Sequence, residues 1–122
     1  MSKQSIVRVH AQASVNPNDW ETFKQMVAET KIIVEKEGPE SVLLHECYYD
    51  PATFECLIIE AYANEAAFLG HLELIKPLSA KYKVDWKIDH LTLLGPYSDN
   101  VVAAMRASSE PAFSHYPASL AH

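Results

Sequence analysis

Hydrophobic and polar side chains alternate along residues 5–15. Val7, Val9, Ala11, Ala13 and Val15 fall on one parity, and Arg8, His10 and Gln12 on the other, which predicts a half-buried strand. Asn16-Pro17 then reads as a helix cap followed by proline in the first turn, with Asp19 close behind. Trp20, Phe23, Val27, Thr30 and Val34 recur at helical spacing, so 17–36 is expected to be an amphipathic helix, stopped by Gly38-Pro39. Two β-rich runs follow, 41–49 and 54–62, separated by Asp50-Pro51-Ala52-Thr53, a hairpin signature. Asn64 is placed to cap the next helix, whose apolar stripe is Ala67, Phe68, His71, Leu72 and Ile75. Pro77 predicts a kink or a new short helix. Residues 85–94 alternate again, with Trp86, Ile88, His90, Thr92 and Leu94 set against Lys87, Asp89, Leu91 and Leu93, and Gly95-Pro96 closes that strand.

The order β-α-β-β-α-β is the split βαβ, or ferredoxin-like, pattern: an α+β fold with helices on one face of a four-stranded antiparallel sheet. The open face of the sheet still carries apolar side chains, so a second copy of the chain is expected to cover it, as a homodimer. The chain divides into a domain over 1–97 and an extension over 98–122. Residues 99–107 suit a short helix. The remaining tail has no periodicity but carries Phe113, Tyr116 and Leu120. With Pro111 and Pro117 it can run extended without needing ladder hydrogen bonds; it is expected to be ordered and to cross the dimer seam, where it can cap a pocket mouth.

Composition narrows the possible functions. The 122 residues allow one core, and 48% hydrophobic with 21% charged residues is a globular balance. A net charge of −6 argues against nucleic acid and against an anionic membrane surface. No apolar run reaches the roughly 18 residues needed to span a bilayer. Met1-Ser2-Lys3-Gln4 leads into the first strand without an apolar leader segment, so the expected location is the cytoplasm. Cys47 and Cys56 are too few for a disulfide framework, and their spacing is not a zinc signature. The histidines form no His-x-x-x-His pair, and three glycines leave little room for a phosphate loop, so no metal and no cofactor is expected.

Ile58-Ile59-Glu60-Ala61-Tyr62, followed by Asn64-Glu65-Ala66-Ala67-Phe68 and His71-Leu72, resembles the antibiotic biosynthesis monooxygenase (ABM) family of dimeric α+β barrels. The helix exit Glu37-Gly38-Pro39 and the closing Leu94-Gly95-Pro96 are similar too, and the resemblance spans 5–97. Here Tyr62 stands where family members usually carry tryptophan. The stretch Leu74-Ile75-Lys76-Pro77-Leu78 lacks the second histidine many of them have. The resemblance implies a cofactor-independent monooxygenase that oxidises a small aromatic, quinol-like substrate with O₂. The haem-degrading branch is not expected, because Ala11, His71 and Lys81 replace its characteristic residues. Two other readings stay open: an isomerase or other proton-transfer enzyme acting on a small carbonyl compound, and a non-catalytic dimeric small-molecule-binding protein.

His71 is the candidate catalytic base, since its place on the apolar stripe aims it at the sheet. The alternative is a hydrogen-bonded core histidine. If the hairpin turn pairs Tyr49 with Phe54, Cys47 lies opposite Cys56 and His45 opposite Ile58. His45, Cys47, Tyr49, Cys56, Glu60 and Tyr62 then share one face, unusually polar for a sheet interior. Candidate substrate contacts are therefore Phe68, Tyr62, His45, Glu60 and Trp86. Glu60 has an alternative role as a buried carboxylate tying the dimer or a backbone amide. The cysteines read either as a cross-strand disulfide or as two small apolar residues. His10 and His90 read as surface or interface residues, Trp20, Phe23 and Tyr82 as core or pocket wall, and Glu35-Lys36-Glu37 as a solvated helix end.

Overall fold

The computed structural model describes residues 5–108 and 112–120. Its elements are β1 (Val7–Val15), α1 (Trp20–Glu37), β2 (Val42–Tyr49), β3 (Glu55–Tyr62), α2 (Glu65–Ile75), α3 (Leu78–Lys81), β4 (Trp86–Leu94), α4 (Asp99–Ser108) and β5 (Phe113–Tyr116). β1 alternates as its sequence pattern requires, every odd position buried. Asn16 caps a single 3₁₀ turn ahead of α1 by accepting from the Asn18 amide, and Asn64 caps α2 by accepting from the Ala67 amide at 2.8 Å. Pro77 ends the α2 stretch and starts α3, because it cannot continue the ladder of the preceding turn.

The sheet departs from expectation in size. It has five strands, in the order β2-β3-β1-β4-β5, and is mixed: β5 pairs parallel to β4, with Leu91 beside Phe113 and Leu94 beside Tyr116. The prolines leave the tail able to lie extended without ladder hydrogen bonds. Instead Leu91 N donates to Ala112 O and Gly95 N to Tyr116 O, so β5 satisfies the edge of β4. Pro111 lies outside the described residues. Val101, Val102, Met105 and Phe113 pack on the core, whereas Tyr116 and Leu120 are exposed.

Two registers also differ from those read in the sequence. In the hairpin Tyr49 faces Cys56, Cys47 faces Ile58 and His45 faces Glu60, a slip of two residues. The cause is Phe54, which takes φ +60° and joins the turn, its ring set against Trp20 at 5.3 Å; Asp50 and Glu55 close the loop instead. Because the slip is even, the same side chains still point inward. In β4 the pairing with β1 shifts between Gln12 and Ala13, which leaves Asp89 as an extra residue. Strict alternation over 85–94 therefore fails. Trp86 and Ile88 reach inward before the bulge, Leu91 and Leu93 after it.

α1 and α2 cover one face of the sheet through Phe23, Phe68 and His71. Gly95 turns the chain out of β4 at φ +114°, where a Cβ would stand 2.9 Å from the Ile6 carbonyl oxygen. The buried Tyr97 then donates to the Arg8 carbonyl at 2.8 Å and leads the chain into α4. No helix among the described residues is long and apolar enough to cross a membrane.

Candidate functional site

Between the helices and the inner face of the sheet lies a cavity of about 410 Å³. Its wall is largely apolar: Val9 from β1, Met26 from α1, Leu72 from α2, Leu91 from β4 and Met105 from α4 are typical. Trp86 is part of the wall and meets Phe23 edge-on at 5.6 Å. Phe68 lines it from α2 and meets Tyr62 edge-on at 5.5 Å. A volume of this size suits a small organic molecule.

The polar residues of the wall include a neighbouring pair, His45 and Glu60. They face each other across the β2–β3 ladder, with His45 Nε2 3.8 Å from Glu60 Oε2. Tyr62, fully buried two residues further along β3, donates to Glu60 Oε1. His71 lies behind the wall rather than in it. It is 1% exposed, its ring centroid is 5.3 Å from that of His45 and 5.4 Å from that of Tyr62, and its Nδ1 is 2.8 Å from Glu37 Oε2. Lys31 reaches over from α1 and donates to the His45 carbonyl. Of the residues singled out in the sequence, Phe68, His45, Glu60 and Trp86 are thus on the cavity wall. Tyr62 and His71 touch the same cluster from the protein side.

Burial sets the electrostatics. It pushes the Glu60 carboxyl above the usual carboxylate range, against the pull of the Tyr62 hydroxyl. It takes the His45 imidazole down to about 4, helped by the nearness of His71 and Lys31, so His45 is neutral at pH 7. The Tyr62 phenol is raised by burial and by the Glu60 charge. One wall therefore holds an acid that resists ionising beside a base that resists protonation, an arrangement suited to moving a proton to and from a bound molecule. Two nitrogens of the cluster, His45 Nδ1 and His71 Nε2, are buried and have no hydrogen-bond partner among the described residues.

The sequence pattern puts Glu37 in a solvated helix end, and the structure differs. Its side chain is only 9% exposed and is tied to His71. A carboxylate at the last position of a helix is disfavoured by the helix dipole, and that mismatch is the signal pointing to a partner elsewhere. Lys31 carries no such signal. Cys47 and Cys56 are free thiols near one another, and burial pushes Cys56 up to about 11.

No protein-family profile matches this chain, and no curated protein matches it in sequence. Solved structures do match. MupZ from Pseudomonas fluorescens superposes with a TM-score of 0.73 at 17% identity, over 100% of this chain and 93% of that one. A candidate antibiotic biosynthesis monooxygenase from Caulobacter crescentus CB15 matches with a TM-score of 0.61 at 17% identity, over 78% of this chain and 92% of that one. A further antibiotic biosynthesis monooxygenase matches at 0.54 and 17% identity, over 75% of this chain and 99% of that one. The chain shares the fold of the antibiotic biosynthesis monooxygenases, the family its β3–α2 wording resembles.

Proposed function

We propose that the protein is a monooxygenase that oxidises a small aromatic, quinol-like molecule with O₂. The observation that supports this most is the apolar cavity with the His45–Glu60 pair in its wall and His71–Glu37 behind it. Phe68, Trp86 and the aliphatic wall would hold the ring, and the polar cluster would take the proton of a phenolic hydroxyl. The resulting anion carries electron density onto a ring carbon, which reduces O₂ and forms a carbon–oxygen bond. Cleavage of the O–O bond, with loss of the ring hydrogen, then yields a quinone and water. One oxygen atom enters the product and the other leaves as water, so the electrons come from the substrate and neither flavin nor haem is called for. His71, behind the wall and held by Glu37, is a positioning residue that acts on the bound molecule through His45 and Glu60.

The test is oxygen uptake with a panel of quinols and hydroxyaromatics, using wild type and His71→Ala. Because the cluster takes the proton as a unit, loss of His71 is expected to lower turnover by about 10²–10⁴. No uptake above the uncatalysed rate with any member of the panel overturns the reading. The raised carboxyl and lowered imidazole on one wall favour a second reading, an isomerase acting on a small carbonyl compound. Solvent deuterium appearing at a substrate carbon without O₂ consumption would select it.

The working unit is proposed to be a homodimer. The sheet face turned away from the helices exposes Leu44, Tyr48 and Leu57, an apolar surface that a second copy would cover. The cytoplasm is proposed as its location.

A further inference from the structure

We propose that His45, Glu60 and His71 form a binding site for one divalent transition-metal ion of the zinc class, at the wall of the cavity. The inference does not depend on the oxygenase reading. One donor atom from each of the three residues lies within 4.8 Å of the others. The donors come from β2, β3 and α2, so no linear spacing in the sequence announces them. Two imidazoles and a carboxylate are a donor set that borderline divalent ions accept, and three protein ligands leave a position for water or a bound molecule. His45 and Glu60 belong to the cavity wall, which puts that position within reach of the cavity contents.

Three independent features favour a metal over a plain proton network. First, His71 Nε2 is buried in a residue 1% exposed, and it has no hydrogen-bond partner among the described residues, an arrangement a metal bond would satisfy. Second, the opposite nitrogen of that ring is held by Glu37 at 2.8 Å, the carboxylate–histidine contact that orients a metal-binding imidazole. Third, Tyr62 occupies Glu60 Oε1 and leaves Oε2, the oxygen nearer His45, available as a ligand. Lys31 stands beside the cluster, its ammonium hydrogen-bonded to the His45 carbonyl.

The test uses the full chain stripped with chelator and titrated with Co²⁺ alone, without substrate. The expected result is one equivalent bound at micromolar concentration, with the visible d–d absorption of a low-coordinate Co²⁺ site, displaced by Zn²⁺. Glu60→Gln and His45→Gln should abolish the absorption, and Glu37→Gln should weaken binding about 10–100-fold. His10→Gln, on the open face of the sheet, should change nothing. Far-ultraviolet circular dichroism checks that each variant folds, and the wild-type titration stands without any of them. Absence of stoichiometric binding by wild type overturns the proposal, as does binding left intact in folded Glu60→Gln. Failure of oxygen uptake bears only on the oxygenase reading, because the titration involves neither O₂ nor turnover.

Discussion

Replacing Glu37 tests the link between the end of α1 and the buried histidine of α2. His71 cannot turn its Nδ1 to water, since the residue is 1% exposed, and Glu37 Oε2 is the acceptor at 2.8 Å. Glu37→Ala leaves that group stranded. A buried hydrogen bond to a charged partner is worth about 1.5–3 kcal/mol. Against this, removing a negative charge from a helix C-terminus returns about 0.3–1 kcal/mol. The net expectation is a loss of about 2 kcal/mol for Glu37→Ala. Glu37→Gln keeps a neutral acceptor of the same shape and relieves the same dipole clash, so it should cost less than about 1 kcal/mol. Urea unfolding of the chelator-treated protein measures both. In a chain of this size the alanine variant should also melt about 8 °C lower. An alanine variant within about 0.5 kcal/mol of wild type would refute the reasoning, because that is the range of an ordinary surface substitution.

Gly95→Ala should lower stability by about 1–3 kcal/mol in the same assay, because a Cβ there meets the Ile6 carbonyl in a left-handed backbone conformation; an unchanged urea midpoint would contradict it. Asn64→Ala should cost about 1 kcal/mol through loss of the cap on Ala67, read from the urea midpoint. With its thiol pushed up to about 11, Cys56 should react with iodoacetamide at pH 8 about 10²-fold more slowly than a free cysteine, as followed by peptide mass spectrometry. Light scattering at micromolar concentration should give twice the chain mass, and a monomer mass would remove the homodimer proposal.

Where one local rule governs the outcome, the sequence can be read directly. β1 shows a clean period of two with no bulge, and Asn16, Asn64 and Pro77 act within a single turn of where they stand. The failures are places where distant groups decide. Phe54 enters the turn because Trp20, more than thirty residues away, offers a ring to pack against. The bulge at Asp89 is invisible in a pattern that alternates on paper, and the Ser14 hydroxyl donates to the Asp89 carboxylate across the strands. β5 has too short a run to declare itself, and its ladder exists because β4 has an unsatisfied edge. Phe68, His45, Glu60 and Trp86 could be brought to one cavity by parity and helical spacing. Glu37 could not, because its partner is 34 positions on and its neighbours Glu35 and Lys36 are solvated.

The parallel placement of β5 has a dynamic consequence. An antiparallel neighbour can be added through a tight turn, but a parallel one needs the chain to travel back along the sheet, and α4 is part of that return path. The same helix contributes Met105 and Ser108 to the cavity wall. Moving α4 aside to admit a molecule therefore pulls on a strand bonded to the sheet at Leu91 and Gly95. Access and edge pairing become one cooperative opening, and the amide exchange of 113–116 should quicken or slow together with the rate at which the cavity fills.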